Sequence, residues 1–194
     1  MMYTGTKKRY VRRQHTPRPP RPSFLSALLV TDEARWMQVG DALKKVIPSV
    51  IWREELFITS KQLWHGALHP SQVEKLLDIT LSKIGTPYLD LYLVHWPLMV
   101  IPGRDEAEIV VDTSLVVRIW EAMIALRETG KVKAIGVSNC TRQHLEAIIK
   151  ATGERPEVNQ IDANPLLSQD DMVEYCRKQG ILIIACSPLA GKSE

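Results

Sequence analysis

The sequence predicts an α/β fold in which helices cover a parallel sheet. Three observations carry this. Short apolar runs recur along the chain as LFITSK, LDLYLVHWP, KAIGVSN, EVNQID and ILIIACSP. Segments with helical periodicity separate them, so the order is strand, helix, strand throughout. The runs are nearly continuous rather than alternating, which is the pattern of strands covered on both faces. Each run also ends on a polar, chemically able residue: Lys61, His95, Ser138 with Asn139, Gln160 and Ser187. A parallel barrel places such residues around its mouth.

The elements follow in order. Val39 to Ile47 reads as a short helix and Leu56 to Ser60 as a strand. Ser71-Gln72-Val73-Glu74 has the form of a capping box and starts a helix running to Ile84. Leu89 to Val94 is a strand interrupted only by Asp90, and Leu115 to Glu128 is a helix closed by Gly130. Lys133 to Val137 is a strand, and Thr141 caps a helix that ends before Gly153. Glu157 to Ile161 is a strand, Ser168 caps a helix that stops at Gly180, and Ile181 to Ala185 is the fifth clear strand. A closed barrel needs eight strands and typically about 250 residues. Spacing alone leaves an open sheet and an incomplete barrel as alternatives.

Composition narrows the function classes. Apolar residues make up 45% and charged residues 24% of the 194, which is ordinary for a globular chain. No apolar run approaches the roughly 20 residues of a membrane span, so no membrane association is expected. The net charge of +3 is unevenly spread: residues 1 to 31 hold seven basic residues and no acid, leaving 18 basic against 22 acidic in the body, a net −4. Nucleic acid is therefore not the expected partner. The first 30 residues, with Pro17, Pro19, Pro20 and Pro22 among the arginines, read as a basic disordered tail, and 31–194 as the folded part. Cys140, Cys176 and Cys186 form no pairing pattern, which suits a reducing, cytoplasmic compartment. His65 and His69 are four apart, but Gly66, Pro70 and the lack of neighbouring Cys or acidic ligands make them a loop, and no metal is expected.

From Val39 to Gly191 the chain resembles the aldo-keto reductases, specifically the fungal NADP-dependent aldose and glycerol reductases. The resemblance rests on VGDALKK, ELFITSKQLW, GTPYLDLYLVHWP, WEAMIALRETGKVKAIGVSN, PEVNQIDANP and ACSPLAG, in family order and spacing. It implies an incomplete (β/α)8 TIM barrel of about five to six βα units, truncated at both ends. It implies NADP(H) as cofactor and hydride transfer to or from a small carbonyl or alcohol substrate. Lys61 matches the lysine that lowers the pKa of the family's proton donor, and His95 the histidine that orients the carbonyl. Ser138, Asn139 and Gln160 match the residues holding the nicotinamide carboxamide; Ser187 is placed with them at the cofactor. Trp64 and Trp96 match aromatic positions at the substrate pocket.

The same resemblance exposes departures. The family's donor is a tyrosine with an aspartate five residues before it; those positions hold Glu33 and Leu28. Where the family usually has a tyrosine before Ser-Pro-Leu to stack on the nicotinamide, this chain has Cys186. The family's basic segment for the adenosine phosphate and its substrate-selecting loop are expected beyond Glu194. A catalytically impaired fragment or pseudoenzyme, acting by binding a partner, is the alternative expectation.

Overall fold

Side chains alternate between the faces of a strand, so each strand of this chain supplies one row to the helices and one to the opposite face. The computed structural model describes residues 23–26, 33–61, 69–101, 108–110 and 112–189. In chain order the elements are β1 (Ser23–Ser26), α1 (Glu33–Val46), β2 (Leu56–Lys61), α2 (Val73–Ile84), β3 (Leu89–Val94), β4 (Met99–Ile101), β5 (Glu108–Val110), α3 (Thr113–Glu128), β6 (Val132–Ser138), α4 (Arg142–Thr152), β7 (Val158–Asp162), α5 (Asp170–Gln179) and β8 (Leu182–Cys186). Among the described residues the main sheet runs β1-β2-β3-β6-β7-β8, parallel at every pairing. It curls into part of a barrel, and β4 and β5 form a separate antiparallel ribbon.

The five expected strands are all present, and β1 is an addition. It pairs in parallel with β2, Ser23 opposite Leu56, so the sheet begins inside the stretch that composition groups with the basic tail. Residues 1–22 lie outside the described residues. Two helix starts also differ from expectation. The Ser71–Glu74 capping box does not form; His69 instead accepts the Ser71 N–H at its ring nitrogen, and a short 3-10 turn over Pro70–Gln72 leads into α2. At α5 the N-cap is Gln169, in a left-handed conformation, rather than Ser168. Thr141 does cap α4, its hydroxyl accepting the His144 N–H while His144 Nδ1 accepts the Thr141 N–H.

Two apolar layers result. Ile58, Tyr92, Val94, Ile135 and Val137 point outward and pack with Leu77, Ile84, Ile119, Trp120, Met123, Leu145 and Ile148 of the helices. Leu91, Leu93 and Val158 point inward with Phe57, Ala134 and Ile184 around them. The inner layer leaves no room for a side chain on Gly136, whose added Cβ would lie 2.7 Å from both Leu93 Cδ2 and the Val158 carbonyl. At the outer layer Gly40 lets α1 cross α2, since a Cβ there would meet the Lys83 carbonyl at 2.5 Å.

A buried ionic cluster closes the N-terminal ends of the strands. Asp90 Oδ2 accepts from Arg53 Nη2 at 2.8 Å and from the Ile58 N–H at 2.9 Å, while Oδ1 accepts from Lys133 Nζ at 2.9 Å. Arg53 also donates to Thr86 Oγ1, the Leu56 carbonyl and the Tyr88 carbonyl, and lies over the Tyr88 ring. One carboxylate thereby joins β2, β3 and β6. Arg53 and Asp90 are both almost fully buried, whereas Lys133 is half-exposed. Removing Asp90 strands a buried guanidinium, so Asp90→Ala should cost about 3–5 kcal/mol in urea unfolding, and Lys133→Ala at most about 1 kcal/mol. Equal effects of the two substitutions would contradict the assignment of Asp90 as the hub.

Candidate functional site

The register of the sheet decides which run-end residues meet. Lys61 pairs with Leu93, Leu93 with Gly136, Val137 with Asn159 and Val158 with Leu182. In an eight-stranded parallel barrel of shear 8 the level rises by about one residue per strand, and each inner layer draws on alternate strands. Counting along β2, β6 and β8 therefore puts Lys61, Ser138 and Cys186 in one inner layer. His95 and Asp162 lie just above it, and Gln160 just below. All of these are at the C-terminal ends of the strands, opposite the Asp90 cluster.

Lys61 is 7% exposed, and its backbone carbonyl accepts from Ser60 Oγ at 3.2 Å. Burial lowers its pKa, opposed by the negative charge that Cys186 and Asp162 can carry. His95 follows β3 on the inner side. Burial and then the nearby Lys61 ammonium push its pKa down to about 4, so the imidazole is neutral at physiological pH. Its Nδ1 is buried without a hydrogen-bond partner.

Next to these, Ser138, Asn139 and Gln160 interlock. Ser138 Oγ donates to the Gln160 carbonyl at 3.0 Å, and that same carbonyl accepts the Asn139 N–H at 2.8 Å. Asn139 sits at φ 59°, which aims its amide back at the strand ends. Its Nδ2 donates to the His95 carbonyl at 2.9 Å and to Ser138 Oγ at 3.2 Å. Gln160 is 4% exposed and its Oε1 has no donor. A buried acceptor without a donor is costly, so Gln160 presents a ready binding valence to whatever enters the concave face.

Of the residues named from sequence, five converge here: Lys61, His95, Ser138, Asn139 and Gln160. Trp96 borders them, half-exposed, its ring centroid 5.9 Å from that of His95. Ser187 stands at the rim, exposed, at φ 50°. Trp64 and Leu28 lie outside the described residues; Glu33 is the first residue of α1. Cys186, in the Lys61 layer, and Asp162, just above it, are not marked as site residues by the sequence, because their proximity depends on the register of strands far apart in sequence.

The aldo/keto reductase family model matches residues 32–193. The chain belongs to the aldo/keto reductase family. A D/L-glyceraldehyde reductase of Hypocrea jecorina is 41% identical over 167 residues, covering 81% of this chain and 50% of that relative. A glycerol 2-dehydrogenase (NADP(+)) of Saccharomyces cerevisiae is 36% identical over 168 residues, covering 78% of this chain and 52% of that one. Among solved structures, the Bombyx mori aldo-keto reductase in complex with NADP aligns with a TM-score of 0.71 at 33% identity, over 79% of this chain and 48% of that one. This aldo-keto reductase chain thus spans about half the length of the curated relatives it matches. The likeness confirms the incomplete (β/α)8 barrel that the motifs imply.

The depressed His95 pKa sets a pH signature. Between the unfolded value near 6.5 and the folded value of about 4 the unfolded chain binds the extra proton. Stability that is full above pH 6.5 should therefore fall as the pH drops toward 4. Asp90, held below the ordinary carboxylate range despite its burial by the Ile58 N–H, Lys133 and Arg53, adds a further loss at lower pH. Melting temperatures of His95→Gln should decline less steeply than those of the parent between pH 6.5 and 4. Parallel curves would show that His95 is not buried neutral.

Proposed function

We propose that this chain is an NADP(H)-dependent oxidoreductase by descent. Its concave face receives a small aldehyde, ketone or alcohol beside a nicotinamide. The observation carrying this reading is the convergence of Lys61, His95, Ser138 and Gln160, with two buried polar atoms, His95 Nδ1 and Gln160 Oε1, left without partners. The NADP complexed with the Bombyx mori reductase, and the NADP(+) in the name of the yeast dehydrogenase, support the choice of cofactor. A cytoplasmic location belongs to the same reading.

The residues present fit the nicotinamide end of that cofactor. A carboxamide offers two donors and one acceptor in a plane; Gln160 Oε1 supplies a vacant acceptor, and Ser138 and Asn139 flank it. When bound, the cofactor supplies the hydride. The other steps fall to the chain. His95 is neutral and can donate a ring N–H to a carbonyl oxygen. The Lys61 ammonium places positive potential where an alkoxide would form, in a partly desolvated setting where such a charge counts for more than in water. Ser138 and Asn139 hold the Gln160 backbone, and so its side chain, in place.

What the described site lacks is a proton donor. Tyr92 is buried on the outer face among the helices, and burial pushes its pKa up. Tyr88 sits at the opposite end of the sheet against Arg53 and Lys133. Tyr175 lies on α5 under Arg142. None of these reaches Lys61, and this favours the second reading, a catalytically impaired descendant of the enzyme. Loss of a general acid typically slows such a reaction by about 10²–10⁴-fold.

The experiment is deuteride transfer from 4-deuterated NADPH to glyceraldehyde, read by mass spectrometry of the product. Transfer should be detectable but slow. Restoring the pair with Leu28→Asp and Glu33→Tyr should raise the rate by roughly tenfold or more. Fast transfer by the unaltered chain that Glu33→Gln abolishes would instead make Glu33 the donor. Absence of transfer in both forms would leave no hydride chemistry at this site.

A further inference from the structure

Two adjacent amides of β7 face opposite ways. Gln160 turns its side chain to the concave face, while Asn159, one residue earlier, turns toward the helices. Asn159 is fully buried there, at 0% exposure. A polar side chain buried on an apolar face requires partners, and these partners are specific. Asn159 Nδ2 donates to the Cys140 carbonyl at 2.9 Å, and its Oδ1 accepts the Cys140 N–H at 3.4 Å. Nδ2 also approaches Met172 Sδ at 3.9 Å. The amide thus takes both backbone groups of one residue, as a neighbouring strand would. Only one orientation of the amide does so, because the N–H needs an acceptor and the carbonyl a donor.

Cys140 lies in the turn that carries the site. β6 ends at Ser138, and Thr141 caps α4. Between them Asn139 takes φ 59°, a left-handed conformation uncommon for a residue with a side chain. Such a conformation persists where its surroundings over-determine it. Two successive residues of β7 do this. The Gln160 carbonyl takes the Ser138 hydroxyl and the Asn139 N–H. The Asn159 side chain takes the next residue, Cys140, by both its backbone groups. Ser138 and Asn139 flank the Gln160 acceptor, so a residue facing away from the concavity holds the turn that supplies them.

We propose that Asn159 is a positioning residue for nicotinamide binding: by holding the Cys140 backbone from the helix side of the sheet, it fixes the left-handed turn at Asn139 and with it the Ser138 and Asn139 side chains beside the carboxamide. The ligand rests on the nicotinamide reading under Proposed function. The hold on the turn does not, being made of this chain's own hydrogen bonds.

Asn159→Asp keeps the shape and makes the hold depend on pH. One carboxyl oxygen accepts the Cys140 N–H in either state. The Cys140 carbonyl receives a hydrogen bond only when the other oxygen is protonated. Full burial raises the pKa of a carboxyl, so that bond is present at low pH and lost as the pH rises through the raised value. The titratable groups beside the position, the Cys140 and Cys176 thiols, are both pushed up by burial and stay protonated. His95, with its pKa pushed down to about 4, stays neutral.

The test is titration of the isotopically labelled chain with nicotinamide mononucleotide, read at the Ser138 and Asn139 amides, each variant being compared with the parent at the same pH. Asn159→Asp should bind within about twofold of the parent at about pH 5 and roughly tenfold more weakly at about pH 8. Its free Asn139 and Cys140 amide signals should approach the parental positions at the lower pH. Asn159→Leu should bind roughly tenfold more weakly at both. Met172→Leu, which removes only the sulfur contact, should match the parent. Unmoved Arg53 and Tyr88 signals at the other end of the sheet report a folded variant; if Asn159→Leu does not fold, the pH profile of Asn159→Asp decides. Parental affinity in folded Asn159→Leu, or a ratio of Asn159→Asp to parent that does not change with pH, would overturn the proposal. A parent that binds no nicotinamide mononucleotide would instead overturn the nicotinamide reading, leaving Asn159 a holder of the turn alone.

Discussion

Asp90 ties three strands together at one end of the sheet, and the chemistry at the other end depends on it. Its carboxylate takes the backbone N–H of Ile58, the guanidinium of Arg53 and the ammonium of Lys133, so β2, β3 and β6 are pinned in a single register. A parallel pair that slips by one residue turns every inward side chain outward. Such a slip between β2 and β3 would send Lys61 to the helix layer while His95 stayed inside. The cluster does no chemistry and lies away from the site, yet it decides whether Lys61 and His95 share a face. Burying two charges is a weak source of net stability; the value of the cluster here is the geometry it enforces.

From that register the layering follows. Inner positions pass from apolar residues low in the barrel, through Leu93 and the side-chain-free Gly136, to Lys61, His95, Ser138, Gln160, Asp162 and Cys186 at the top. Backbone close packing at Gly136 draws β6 and β7 together, which is where Ser138, Asn139 and Gln160 interlock. The desolvation that lowers the pKa values of Lys61 and His95 is the same desolvation that leaves His95 Nδ1 and Gln160 Oε1 unpartnered. Packing and binding capacity are two consequences of one arrangement.

Much of this is legible in the chain. Each of the five main strands is a local apolar run, and its last polar residue marks the mouth without knowledge of its neighbours, which is why Lys61, His95, Ser138 and Gln160 can be named from sequence. The helix ends at Gly130, Gly153 and Gly180 are equally local. What escapes is whatever depends on partners distant in sequence. β1 is four residues, Ser23–Ser26, beside a Pro- and Arg-rich stretch, and only its pairing with β2 makes it a strand. Cys186 joins the Lys61 layer through shear accumulated over four strands, and Asp162 comes to lie just above it through shear accumulated over three. The burial of Asp90, which interrupts an apolar run, makes sense only with Arg53 and Lys133 in place. The capping box at Ser71 does not form: the Ser71 N–H goes to His69 Nδ1, and the Glu74 carboxylate is engaged by Lys131.

A nicotinamide and a carbonyl that meet at the Lys61 end of the sheet must perturb that end and no other. Backbone and side-chain amide NMR of the isotopically labelled chain, titrated with nicotinamide mononucleotide, reads this out residue by residue. Shifts should be confined to Ser138, Asn139, the Gln160 side-chain amide and the backbone around His95 and Cys186, with Arg53, Tyr88 and Lys133 unmoved. Shifts centred on the Asp90 end or on the outer faces of α4 and α5, with Gln160 unaffected, would contradict the placement of the cofactor.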